Sequence, residues 1–253
     1  MLREIAVEPW VVVRRGSWIG TGGPLLLASV YGPALVVLAM LVAFVELVWG
    51  GAGYGLLTRD PLSVVADPAL RPDPVRFYVG FLSNLGVLLW AITAGGTLLA
   101  FAVLRDEGDV RLARFFGFAG LFTTFLMIDD VYMLHEINGT NSGGRVREIL
   151  QRFPPSAVFK AAYAVGMVVL LWGWRKVILG QTRWSLLLVS LGMFALSMGW
   201  DELVDQRLAP GTLLSVKITV DRSFFLEDAT KFLGIAGWLG YFGLSSFEAL
   251  RRR

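Results

Sequence analysis

Residues 127–136 read MIDDVYMLHE, placing Asp129, Asp130, the chain's single histidine (His135) and Glu136 directly after the apolar run FFGFAGLFTTFL. Two further runs set acids into apolar sequence: SMGWDELVD, with Asp201 and Glu202, and FFLEDATKF, with Glu227, Asp228 and Lys231. Carboxylates with one imidazole form a hard ligand set, suited to Mg²⁺, Ca²⁺, Mn²⁺ or a carboxylate-bridged Zn or Fe ion, and such an ion can activate water or hold a phosphate. Asp129, Asp130, Asp201, Glu202, Glu227 and Asp228 are therefore the expected metal ligands. His135, Lys231 and Glu136 are the expected catalytic groups, with His135 a ligand or general acid/base and Lys231 a partner for an oxyanion or phosphate.

The elements that must position these groups are membrane helices. Of 253 residues 55% are hydrophobic and 17% charged, and mean hydropathy is +0.63, far above an ordinary soluble domain. Apolar segments at about 24–50, 77–104, 113–136, 157–179, 183–204 and 223–249 are each near the length an α-helix needs to cross the hydrocarbon core. The expected fold is all-α: an integral membrane bundle of six transmembrane helices forming a single domain over residues 1–253. The first 23 residues lack a continuous apolar stretch of the signal-peptide kind, so the N-terminus is expected to be retained.

Segment lengths decide where the acids lie. Phe115–Ile128 is fourteen residues and Trp184–Met198 fifteen, too few to cross unless Asp129 and Asp130, or Asp201 and Glu202, lie inside the membrane. Read backward from Phe247, the last segment reaches Phe232 after sixteen residues, so Lys231, Asp228 and Glu227 are drawn in as well. Twelve Lys and Arg flank the helix ends on the side of the two termini against ten on the other, which predicts cytoplasmic termini in a bacterial inner membrane. On that orientation all three clusters occupy the outer third, with Glu46 at about the same depth.

Helical spacing then sorts the faces. Asp129, Tyr132 and Glu136 recur at i, i+3 and i+7 with His135 beside them, and Glu227 and Lys231 at i, i+4. Counting Glu46, Asp129, Asp130, Glu136, Asp201, Glu202, Glu227 and Asp228 gives eight acids against Lys231. Ionised together in the membrane, they require protonation, a water-filled cavity or a bound cation. In helix 6, Gly234, Gly237, Gly240 and Gly243 recur every third residue and predict close approach of neighbouring helices. In the loop GGRVREILQRFPPS, residues 145–153 have the spacing of a short interfacial helix.

The pattern D-D-x-x-x-L-H-E at 129–136 and E-D-x-x-K-x-x-G at 227–234 resembles that of uncharacterised bacterial polytopic membrane proteins. The resemblance implies a shared site and no particular activity. Several functions are open. A divalent-cation-dependent hydrolase or transferase acting on a lipid or isoprenoid stands first, with the cation Mg, Ca, Mn or Zn. A proton or cation transporter using the same acids stands second, because the helix halves away from the clusters are almost bare of ionisable groups. A non-catalytic binding protein follows, and a retinal-type pigment with Lys231 as a Schiff base comes last. One histidine rules out histidine-rich oxygenases, and no cysteine rules out thiolate metal sites. The basic residues cluster at loop ends, which points to membrane lipids and not to nucleic acid as partner.

Overall fold

The computed structural model describes residues 23–49, 54–58, 79–132, 134, 155–205 and 220–251, the side chains at 49, 155, 156, 201–205, 220, 221 and 223 excepted. Its described elements are all helical: α1 (Gly23–Trp49), α2 (Tyr54–Thr58), α3 (Phe81–Asp106), α4 (Val110–Tyr132), α5 (Pro155–Val168), α6 (Arg175–Gln181), α7 (Trp184–Asp205) and α8 (Val220–Arg251). Each of the six apolar segments coincides with one of the long helices or, for the fourth, with α5 and α6 together. The interfacial helix expected at 145–153 lies outside the described residues.

Among the described residues, Gly23–Val48, Phe81–Asp106 and Val110–Tyr132 are long and apolar enough to cross a membrane, and the pair around α5 and α6 makes a fourth if it counts as one span. Trp184–Trp200 is apolar but shorter. The fourth segment is not the single straight helix its hydropathy predicts. A π-helical turn, Val169–Gly173, follows α5, and the chain bends by 59° before α6. A π turn loosens the i→i−4 ladder by one residue, and Gly173 and Trp174 stand where the axis turns.

The short DEGD link between α3 and α4 is stereochemically specified. Gly108 adopts φ 86°, a left-handed value that closes a helix C-terminus at little steric cost. Asp109 then starts α4, its Oδ1 accepting the Leu112 N–H at 3.2 Å. Antiparallel packing of α3 on α4 follows. Gly80, at φ 65°, sits before α3 and donates its N–H to the Leu56 carbonyl of α2 at 2.8 Å.

Around this hairpin, α8 is the central post. It packs most extensively against α7 and α3, and also against α1 and α2. Lipid tails are as apolar as leucine, so its association depends on close van der Waals fit and interhelical hydrogen bonds. Glycine supplies the fit: methyl groups placed at Gly234 and Gly240 would meet the Phe194 ring at 2.7 Å and Val30 at 2.5 Å, and one at Gly237 would collide with the Tyr31 hydroxyl. Gly243, the fourth of the series, has open space. Trp90 of α3 stacks with Phe194 of α7, centroids 5.8 Å apart, and both meet fully buried Trp238 of α8 edge-on. Large apolar side chains such as Leu47, Leu99, Leu121 and Val165 stay exposed around the outside, as a lipid-facing surface requires.

Candidate functional site

The acids of the third segment are consecutive, and residues one apart on a helix point about 100° apart. One face cannot hold both. Asp129, 4% exposed, turns toward α5 and accepts a hydrogen bond from the Tyr163 hydroxyl. Asp130 turns toward α8, where Lys231 Nζ forms an ion pair with its Oδ1. Two neighbouring carboxylates thus bind two different helices. Tyr132, expected on the face of Asp129, is 61% exposed, because a step of three residues near the helix end already swings it off the buried side.

Asp228 lies one turn before Lys231 on α8, and both line a cavity of about 20 Å³ with Asp130, Ser83 and the apolar Leu82, Gly86, Phe232 and Ile235. That volume accommodates about one water molecule. The lining is amphipathic, combining two carboxylates, an ammonium and a hydroxyl with hydrocarbon side chains. Glu227, on the next residue position, is half-buried, and its backbone carbonyl accepts from Thr230 Oγ1 at 2.8 Å.

Glu46 forms a separate cluster. Its Oε1 accepts from the Tyr54 hydroxyl at 2.8 Å and pairs with Arg222 at 2.9 Å, while the Arg222 guanidinium lies 5.7 Å from the Tyr54 ring centre. Burial, and then the hydrogen bond to Glu46, push the Tyr54 phenol above its ordinary value. Glu46 is thereby tied to α2 and the start of α8 instead of joining Asp130.

Of the residues expected to act, Asp130, Asp228 and Lys231 share one cavity, Asp129 sits on the adjoining face of α4, and Glu227 neighbours Asp228. His135 and Glu136 fall outside the described residues. Asp201 and Glu202 lie in the last turns of α7, with side chains outside the described set. Among the described residues, no group of three or more acids or histidines is arranged to hold a metal ion. The Tyr163 and Ser83 contributions were not anticipated. Neither residue carries a formal charge, so no charge contrast marks it; Tyr163 could be found only as a lone polar tip in the apolar run AAYAVGMV.

Comparison with curated proteins and with solved structures returns no match. A family described as a domain of unknown function, DUF8692, matches residues 33–244, a span that contains Asp130, Asp228, Lys231 and every other group described at the cavity. The match covers most of the chain, and the protein belongs to that family.

Proposed function

We propose that this protein is a six-span membrane protein of the bacterial inner membrane, with both termini cytoplasmic, that moves protons or small cations through the bilayer by way of the Asp130–Lys231–Asp228 cavity. The observation that carries this reading is the ion pair between largely buried Asp130 of α4 and partly exposed Lys231 of α8, beside a cavity of one-water size. Ionisable groups at such depth are costly, and pairs of them mark ion and proton pathways in membrane proteins. The charge surplus that favoured a bound divalent ion is also smaller than a bare count of acids suggests. Lys231 neutralises Asp130, Arg222 neutralises Glu46, and Tyr163 supplies a hydrogen bond to Asp129.

The test is reconstitution into liposomes containing a trapped pH dye, with a potassium diffusion potential as driving force. Wild-type protein is expected to acidify or alkalinise the lumen according to the sign of the potential, and Asp130→Asn to behave as empty vesicles. Equal signals from the two proteins would rule the cavity out as part of the path.

The amphipathic wall of the cavity favours a second reading, a divalent-cation-dependent enzyme that takes the polar head of a lipid or isoprenoid against Asp228 and Lys231 while Leu82, Phe232 and Ile235 hold its hydrocarbon. Elemental analysis of the purified protein distinguishes it. A stoichiometric divalent metal that is lost in Asp228→Asn supports the enzyme, and a metal-free protein with intact proton flux excludes it.

A further inference from the structure

Asp228, Lys231, Gly234, Trp238, Tyr241, Ser245 and Glu248 follow one another on α8 at steps of three or four residues, so they share one face of the helix. From Asp228 to Glu248 that face rises by about 30 Å, the thickness of the hydrocarbon core. Nearly every turn of it presents a polar contact. The Gly234 carbonyl accepts from Ser190 Oγ at 2.7 Å, Trp238 Nε1 donates to Thr123 Oγ1 at 3.0 Å, the Tyr241 hydroxyl lies 2.9 Å from Thr182 Oγ1, and Glu248 accepts from Arg183 Nε at 2.7 Å. Thr182 already donates its one proton to the Ile178 carbonyl at 2.7 Å, which makes Tyr241 the donor in its pair.

Interhelical glue accounts for these contacts only in part. The hydroxyls of Tyr31 and Ser245 are buried, at 8% and 5% residue exposure, and neither has a hydrogen-bond partner among the described residues. An unsatisfied hydroxyl in hydrocarbon costs about 1–3 kcal/mol, and buried waters are the usual remedy. Ser245 stands on this face, and the Tyr31 hydroxyl lies against Gly237 of the same helix. A methyl group at Gly237 would collide with the Tyr31 hydroxyl and lie 3.0 Å from Ser190 Cβ, so Tyr31 and Ser190 converge nearly two turns beyond Lys231. Ser245 falls between Tyr241 and Glu248.

We propose that this face of α8 is a proton route, joining the Asp130–Lys231–Asp228 cavity at one end to Glu248 and Arg183 at the other through Tyr31, Ser190, Tyr241 and Ser245 with single waters between them. The proposal rests on the translocation reading and specifies the proton as its cargo, because hydroxyls spaced by one turn can relay a proton but offer no cage for a metal cation. Each hydroxyl or water accepts a proton from the group behind and releases its own to the group ahead. No bond beyond O–H forms or breaks, and the chain is restored when each hydroxyl reorients. Trp238 is not a carrier, since its indole donates and cannot accept; it holds Thr123 and blocks a continuous water column.

The experiment uses full-length protein in liposomes with a trapped pH dye under an imposed potential, comparing wild type with Asp130→Asn, Tyr31→Phe, Ser245→Ala and Ser29→Ala. Tyr31→Phe and Ser245→Ala each remove one oxygen, and their folding is checked by melting temperature in detergent. Ser29, exposed and bonded to its own helix at the Leu26 carbonyl, lies off the route. Loss of flux to the empty-vesicle level in both Tyr31→Phe and Ser245→Ala, with flux retained in Ser29→Ala, is expected. Wild-type flux in Tyr31→Phe and Ser245→Ala, with flux lost in Asp130→Asn, overturns the route and leaves translocation standing; a lowered melting temperature with intact flux marks the hydroxyls as glue and overturns it equally. Absence of proton flux in the wild type overturns the route, and absence of both proton and cation flux overturns the translocation reading with it.

Discussion

Asp129 and Asp130 show how two identical side chains acquire different tasks from direction alone. Tyr163→Phe leaves the buried Asp129 carboxylate without that donor and is expected to destabilise by about 1–3 kcal/mol, read as a lower melting temperature, whereas Tyr132→Phe at an exposed position changes little. Asp130 and Lys231 are coupled, so in a double-mutant cycle Asp130→Asn with Lys231→Met should lose roughly 1–3 kcal/mol less than the two single losses added. Additive losses would mean that the pair is not formed in the membrane. Tyr54 gives a pH signature. Its phenol is raised from 10.0, so the stability contributed by its hydrogen bond to Glu46 is complete below that pH and disappears as pH climbs past the raised value; Tyr54→Phe should remove that alkaline limb of the melting curve. The acids themselves were legible in the sequence, because charge inside an apolar run is conspicuous. Tyr163, Ser83 and the Arg222 partner of Glu46 were not, since a neutral hydroxyl carries no such contrast and Arg222 reaches its partner across 176 positions of chain.

Among the helices, α8 bears most of the specificity. Ala at Gly234, Gly237 or Gly240 pushes into Phe194, Tyr31 or Val30 and is expected to cost about 1–3 kcal/mol by overpacking, while Gly243→Ala, with open space around it, is expected to be neutral or mildly stabilising. Thermal melts of the four variants check this; equal costs at all four positions would contradict the packing described. The three-residue period predicted close approach and found it at three of four positions. Periodicity reports which residues share a face but not where the neighbouring helix ends. The apolar helices were legible for the same reason that hydropathy works at all, namely that a helix crossing the membrane must satisfy its backbone internally. The 59° bend was not, because VLLWG contains no proline to mark it; Trp174, where the axis turns, packs on Phe118 with centroids 4.8 Å apart.

Taken together, the bundle places its ion pair, its cavity and a polar helix face in one continuous line, and orientation decides which end meets the cytoplasm. Glu107 lies in the exposed turn between α3 and α4, on the side assigned to the cytoplasm, and Ser142 in the segment assigned to the outside. A membrane-impermeant thiol reagent applied to intact cells should label Ser142→Cys and spare Glu107→Cys; the reverse pattern would put the acid cluster in the inner leaflet. The most direct test of the translocation claim is the reversal potential of the purified protein in a planar bilayer separating solutions of different pH. Proton movement predicts a shift of about 59 mV per pH unit for a single charge, unchanged by chelator and absent in Asp130→Asn. A reversal potential that ignores the pH gradient and instead follows added Mg²⁺, Ca²⁺, Mn²⁺ or Zn²⁺ would contradict the proton as cargo and the route along α8, and one that follows no ion would contradict translocation itself.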